Sequence, residues 1–258
     1  FSEALKEAQD KGYAEADPTL DVNGMDAAHK LTILSSIAAN SAVSLNNLYV
    51  EGIDNITKLD IHFAKTFGFT IKLLAIYKDI EDGIDLRVHP TLIEDSHLLA
   101  NVNNELNAIF VTGDFVGNTM FYGPGAGEKP TASAIVGDIV DISRDLLLRE
   151  GAKYPNRAII LTESINLVPI NDVKNRFYLR FLTKDMPGVL SDISGVLGDH
   201  EISISSMVQP ETEGKDGFVP IVLLTHEALE SQMEQAIQKI LKFDFVNKDF
   251  LRMRVFNG

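Results

Sequence analysis

The densest supply of reactive groups lies between Gly12 and Lys30, GYAEADPTLDVNGMDAAHK, which holds four carboxylates, Glu15, Asp17, Asp21 and Asp26, and ends on a lysine. Asp26 and Lys30 are four residues apart where an apolar-periodic helix begins, so their side chains emerge on one face and can meet. Two readings are open for the pair. One is a helical salt bridge, its acid favoured by the N-terminal end of the helix dipole. The other is an acid–base site, because Glu15, Asp17 and Asp21 arrive at the same helix end and a mutually repelling acidic cluster calls for cations, donors or an amino-bearing ligand. Asp21 or Asn23 could also serve as a plain N-cap, and Asp17 before Pro18 as a turn residue. A free lysine titrates at about 10.4, so a base working near neutrality must drop by roughly two to three units, or about 3–4 kcal/mol. A neighbouring carboxylate acts in the opposite direction. Lys30 therefore suits donation of a proton to an oxygen that gains electrons better than abstraction of one.

Two glycine-containing loops are further candidates. GPGAG at Gly123–Gly127 lies between a strand and a helix and suits either phosphate cradling or a tight turn. Its spacing is not G-x-G-x-x-G, Pro130 and Thr131 delay the helix, and no second parallel strand follows, so it does not form a Rossmann unit. DMPGVL at Asp185–Leu190 reads either as a helix start, with Pro187 near the first position, or as a ligand-facing loop. The six histidines show no metal-ligand spacing, and neither serine–histidine catalysis nor a P-loop has a signature.

The elements that must position these groups follow from periodicity. Residues 1–11 form an amphipathic helix stopped by Gly12; the chain opens inside it without a methionine, which implies that the natural protein continues upstream. Met25–Asn40 is apolar around much of its circumference and predicts a well-buried helix. Ser44–Val50 is extended and Ile53–Phe67 helical. Thr70–Tyr77, Asp85–Val88, Ala108–Gly113 and Asn118–Tyr122 are β-rich runs broken by turn signals at Asp82-Gly83 and Gly117-Asn118. His97–Val102 is a short helix between them, and Thr131–Arg149 a long one. Residues 1–150 thus form an α+β core with a mixed sheet and flanking helices, and 151–174 a linker. Residues 175–258 read strand, helix, strand, strand, helix, strand, the βαββαβ order of a ferredoxin-like sandwich.

Composition bounds the partners. A formal charge of −14 argues against nucleic acid or anionic lipid. The absence of cysteine excludes a disulfide framework, a thiolate zinc site and a cysteine nucleophile. No apolar run approaches the roughly 20 residues of a membrane helix, and a cytoplasmic location is expected.

The first motif, together with RVHPTLI at Arg87–Ile93 and YGPGAGEKPTASAIVGDIVD at Tyr122–Asp141, resembles the catalytic region of the homoserine dehydrogenase family. From about Arg176, with YLRFLTKDMPGVLSDISGVL, the chain resembles an ACT domain. The order of the two is similar to that of the monofunctional enzymes. The resemblance implies interconversion of L-homoserine and L-aspartate 4-semialdehyde with NADP or NAD, in threonine and methionine biosynthesis. It implies that Glu15, Asp21 and Asp26 contact or arrange the amino acid, that Lys30 gives and takes the proton, and that Gly127 touches the cofactor. It also implies a homodimer or higher homo-oligomer and an amino-acid effector such as threonine, for which Asp185, Gly188 and Val189 are the candidate contacts. Members of the family begin with a Rossmann domain carrying the dinucleotide fingerprint, a second lysine and a sodium loop. None of these is present here, so the expectation is a fragment that does not turn over homoserine alone and holds no metal site of its own. The rival expectation is an amino-acid-sensing ACT module on a scaffold whose acidic motif is structural.

Overall fold

The computed structural model describes residues 2–10, 12, 16–148, 163–164, 166–210 and 217–257. Glu15 and most of the expected linker lie outside them. In chain order the helices are α1 (Ser2–Asp10), α2 (Thr19–Val22), α3 (Met25–Ala38), α4 (Lys58–Thr66), α5 (Glu128–Leu148), α6 (Val189–Asp199) and α7 (Glu230–Ile240). The strands are β1 (Ser41–Ala42), β2 (Tyr49–Val50), β3 (Phe69–Ile80), β4 (Gly83–Glu94), β5 (Leu106–Gly113), β6 (Gly117–Pro124), β7 (Glu163–Ser164), β8 (Lys174–Lys184), β9 (Ile204–Val208), β10 (Phe218–Thr225), β11 (Ala228–Leu229) and β12 (Val246–Val255). The expected short helix after Ser96 is a 3-10 turn at Leu98–Asn101.

The α+β architecture centres on one eight-stranded sheet that runs through both halves of the chain. Its C-terminal part has the order β12-β8-β10-β9, antiparallel throughout, as a βαββαβ sandwich requires. The sheet then continues across β12 into β4 and β3, so the two sequence regions share a ladder instead of being joined only by a linker.

Strand β4 holds the halves together. Along one edge it pairs with β3 over its whole length, from Ile80–Gly83 to Phe69–Glu94. Its other edge is occupied in succession by Leu167 opposite Ile84, β2 opposite Arg87 and Val88, and β12 opposite Thr91 and Leu92, all parallel. The strand therefore runs well past Val88, through Pro90. Its even-numbered residues bond to this second edge: Val88 O accepts from Glu51 N and Leu92 O from Phe256 N, each at 2.8 Å. Pro90 falls between the end of β2 and the start of β12, where its missing N–H breaks no ladder bond.

Alternation places two buried faces on this sheet. Ile84, Leu86 and Val88 pack against Ala28 and Leu31 of α3. Further along the same face, Leu92, Tyr178, Val222, Leu251 and Met253 pack against Phe63 and Ala64 of α4. The opposite face carries Phe177, Leu179, Phe181, Ile221 and Leu223 against Ile193, Leu197, Met233 and Ile237 of α6 and α7. The result is three layers with the sheet in the middle.

Two sequence expectations are corrected. Helix α3 buries Ala28, Leu31 and Ser35 on one stripe, while Ile33, Leu34 and Ile37 are exposed because no described element lies on that side. Helix α5 starts at Glu128, not at Thr131: Pro130 sits in its first turn, where a proline has no intrahelical N–H bond to lose, and Thr131 N already donates to Gly127 O at 3.1 Å.

Candidate functional site

The short helix α2 carries Asp21, which is exposed, and only Asn23 and Gly24 separate α2 from α3. At the turn, Asn23 Oδ1 accepts from Met25 N at 2.9 Å, so Asn23 rather than Asp21 satisfies a first-turn donor. Gly24 adopts φ +81°, which favours glycine, and a Cβ there would crowd Glu51 O, Val50 Cγ1 and Val88 Cγ1 at 3.3 Å. Asp17 is a turn residue: its Oδ1 accepts from Thr19 N and Thr19 Oγ1, and these bonds hold its carboxyl below the usual range.

Lys30 Nζ donates to Asp26 Oδ2 across one turn of α3, so the two groups meet as their spacing predicts. Both are accessible, with side chains 67% and 45% exposed, which leaves the ammonium able to reach an external oxygen while Asp26 holds it. The described residues thus bring together Asp26 and Lys30, with Asp21 on the preceding turn; Glu15 lies outside them.

The turn rests on residues Glu51–Ile53. Ile53 N donates to Val22 O at 2.9 Å, and a Cβ on Gly52 would meet Val22 O at 2.6 Å and Asn23 Cα at 2.8 Å. Beside this seat lies a buried charge network that the sequence reading missed. Arg254 Nη1 donates to Glu51 Oε2 at 2.7 Å, its Nε and Nη2 donate to Glu230 at 2.5 and 3.1 Å, and its Nη2 also reaches Tyr49 Oη at 3.1 Å. Glu230 Oε1 accepts from Asn175 Nδ2, and Asn175 Oδ1 accepts from Arg87 Nη1, both at 3.0 Å. Arg87 pairs with Asp85 at 3.0 Å, and burial pushes the Asp85 carboxyl up. The available signal was the polar alternation Asp85, Arg87, His89 inside a strand whose other face is apolar.

Gly127, with φ +117°, immediately precedes α5. Of the first helical positions Glu128 and Lys129 carry N–H groups without an intrahelical acceptor, whereas Pro130 has none and Thr131 N is bonded to Gly127 O. Gly125 has a separate reason to be glycine, since a Cβ would overlap the Asn107 side chain at 1.4 Å. Helix α5 itself is exposed along Ile135, Ile139, Ile142 and Leu146.

In the C-terminal unit, Gly188 takes φ +96° and precedes α6, with Asp192 N donating to Gly188 O at 3.0 Å. Asp185 is exposed, whereas the Val189 side chain is buried in the helix–sheet core. A cavity of about 470 Å³ opens beside Asn46, Asn47, Tyr49, Asp85 and Leu167 and includes neither Asp26 nor Lys30. Among the described residues no cluster of His, Asp and Glu is arranged to hold a metal ion, and no helix is long and apolar enough to cross a membrane.

Comparison with known proteins gives this geometry its context. The family model of homoserine dehydrogenase matches residues 1–140, and that of the ACT domain residues 177–242. A homoserine dehydrogenase of Pseudomonas aeruginosa is 43% identical over 99% of this chain, and one of Neisseria gonorrhoeae is 40% identical over 99%. The chain spans 59% of the length of each of these relatives. A crystal structure of a homoserine dehydrogenase from Thiobacillus denitrificans superposes with a TM-score of 0.89 at 44% identity, covering 99% of this chain and 58% of that one. With a family match over residues 1–140 of 258 and a shared fold along its length, the chain belongs to the homoserine dehydrogenase family.

Proposed function

We propose that this chain is the substrate-binding, proton-transferring and regulatory part of an enzyme that interconverts L-homoserine and L-aspartate 4-semialdehyde. The observation that carries the reading is the accessible Lys30 ammonium held by Asp26 at the start of α3. In the reducing direction Lys30 donates its proton to the aldehyde oxygen as that oxygen gains electrons. In the oxidising direction the same nitrogen receives the hydroxyl proton. Asp26 orients the lysine, and Asp21 and Glu15 offer carboxylates to the substrate's ammonium group. NADP or NAD, when bound, supplies or accepts the hydride. Gly127 and the α5 N-terminus are the contacts this chain would make to its phosphates, the rest of the nucleotide site belonging to a preceding domain.

Threonine is the effector we propose for the loop holding Asp185, Gly188 and the backbone of Val189. The exposed Ile109, Val111, Phe115 and Phe121 of the β5–β6 hairpin support assembly as a homodimer or larger homo-oligomer in the cytoplasm.

The test joins the chain to the portion of the Pseudomonas aeruginosa relative that it does not span. The joined protein is expected to oxidise homoserine with NADP or NAD, the 258-residue chain alone is not, and Lys30→Ala in the joined protein should lower kcat by about 10²-fold or more. A loss of only a few-fold would assign Lys30 a structural salt bridge and overturn the reading.

A further inference from the structure

The α2–α3 turn that delivers Asp26 and Lys30 has no freedom to choose its own position. It is pressed onto Gly52, where even a methyl group would collide with Val22 O and Asn23 Cα, and it is tied there by the bond from Ile53 N to Val22 O. The segment that forms this seat is itself held from the opposite end of the sequence. Glu51 N donates to Val88 O in β4, while the Glu51 carboxylate accepts from Tyr49 Oη and from Arg254 Nη1, each at 2.7 Å. Arg254 belongs to β12 and its other two nitrogens grip Glu230, the first residue of α7.

This arrangement is a poor way to gain stability alone. Arg254 is 1% exposed and Glu230 2%, and removing such charges from water costs enough that well-packed apolar groups often serve as well or better. What a bidentate arginine between two carboxylates supplies is direction and distance. Here every nitrogen of the guanidinium is committed: Nε and Nη2 to Glu230 of the C-terminal unit, Nη1 to Glu51 beneath the candidate site, and Nη2 also to Tyr49 Oη.

We infer that Arg254 is a positioning residue, which through Glu51 sets where α3 begins and hence where Asp26 and Lys30 stand relative to the substrate. The C-terminal βαββαβ unit then contributes to the site without touching it, because movement of Glu230 or of β12 is transmitted to the Glu51–Ile53 seat. The role assigned to Asp26 and Lys30 rests on the reading in the preceding section; the mechanical link from Arg254 to the turn does not.

The experiment uses the 258-residue chain. Amide hydrogen exchange and NMR titration with L-homoserine are compared for wild type, Arg254→Met, Arg254→Lys and Glu51→Gln. Expected in all three variants is faster exchange at Ile53 and Ala28, whose N–H groups close the seat and the first turn of α3, and in Glu51→Gln, which leaves the Arg254–Glu230 pair in place, unchanged exchange at Leu179 and Leu223 in the C-terminal core. The homoserine dissociation constant should rise by about tenfold in Arg254→Met, with partial recovery in Arg254→Lys. Glu51 is partly accessible, so Glu51→Gln decides the matter should Arg254→Met fail to fold. Unchanged exchange at Ile53 and Ala28 in folded Glu51→Gln, or acceleration spread equally to Leu179 and Leu223, would overturn the proposal. Local loosening with no homoserine binding by wild type would leave the link standing and remove the functional reading instead.

Discussion

Asp60 fastens helix α4 to Arg180 in the central sheet: Arg180 Nε donates to Asp60 Oδ1 at 2.7 Å, and Tyr178 Oη donates to the same oxygen at 3.0 Å. The other carboxylate oxygen accepts from Thr57 N and Thr57 Oγ1, completing a capping box at the start of α4. One fully buried side chain thus caps the start of a helix and joins it to a strand 120 positions away.

Asp60→Ala leaves the buried Arg180 with only its longer 3.7 Å pair to the exposed Asp249 and also removes the α4 cap, so a loss of about 3 kcal/mol in unfolding free energy is expected. Chemical denaturation measures it. A loss under about 1 kcal/mol would mean that the pair is no more than a surface-type salt bridge.

Gly52→Ala places a methyl 2.6 Å from Val22 O, against backbone that cannot swing away. The expected cost is about 1–3 kcal/mol, accompanied by faster exchange at Ile53. Gly68→Ala is a useful contrast: a Cβ meets nothing there and only φ +79° opposes it.

His89 makes stability fall on acidification. It is buried beside Arg254 and Arg87, and burial first, then those two charges, hold its imidazole well below the ordinary value. The unfolded chain takes up a proton near about pH 6.5 while the folded chain does not, so stability is intact above that pH and falls below it, by up to about 1.4 kcal/mol per unit. Urea midpoints for wild type and His89→Gln between about pH 7.5 and about 5.5 should converge as the pH drops. Parallel curves would remove His89 as the cause.

If threonine binds at Asp185 and Gly188, a concentration of 100 times its dissociation constant adds about 2.7 kcal/mol to the folded state. For a chain of this size that raises Tm by about 5–10 °C. Asp185→Ala should abolish the shift; an equal shift in the variant would move the effector elsewhere.

Much of the scaffold was legible because its periodicities are local. The α+β class, the alternating βαββαβ order from Lys174 onward and the pairing of β5 with β6 follow from short-range patterns. The Asp26–Lys30 meeting was legible for the same reason, being a fixed consequence of helical spacing. What was not legible is what depends on distant partners. Pro90 argues for a strand ending at Val88, and only the succession of β2 and β12 along one edge shows why β4 can run through it. The apolar circumference of α3 argues for burial, yet Ile33, Leu34 and Ile37 face outward, because periodicity records which residues want a partner and not whether this chain supplies one. Glu51 and Arg254 are ordinary charges in the sequence and become informative only when brought together across 203 positions.

The edge of β4 that waits for β12 has a consequence during synthesis. As the chain leaves the ribosome, β3 and β4 can form their hairpin early, but the stretch at Thr91 and Leu92 keeps its bonding groups open until Arg254 and Val255 of β12 have been translated. An open, apolar strand edge recruits other strands. A nascent chain arrested before Val246 should therefore be held by chaperones or aggregate, and a stop codon after Lys248 should be damaging to the N-terminal half as well, because it removes Arg254 and leaves that half with an unfinished sheet.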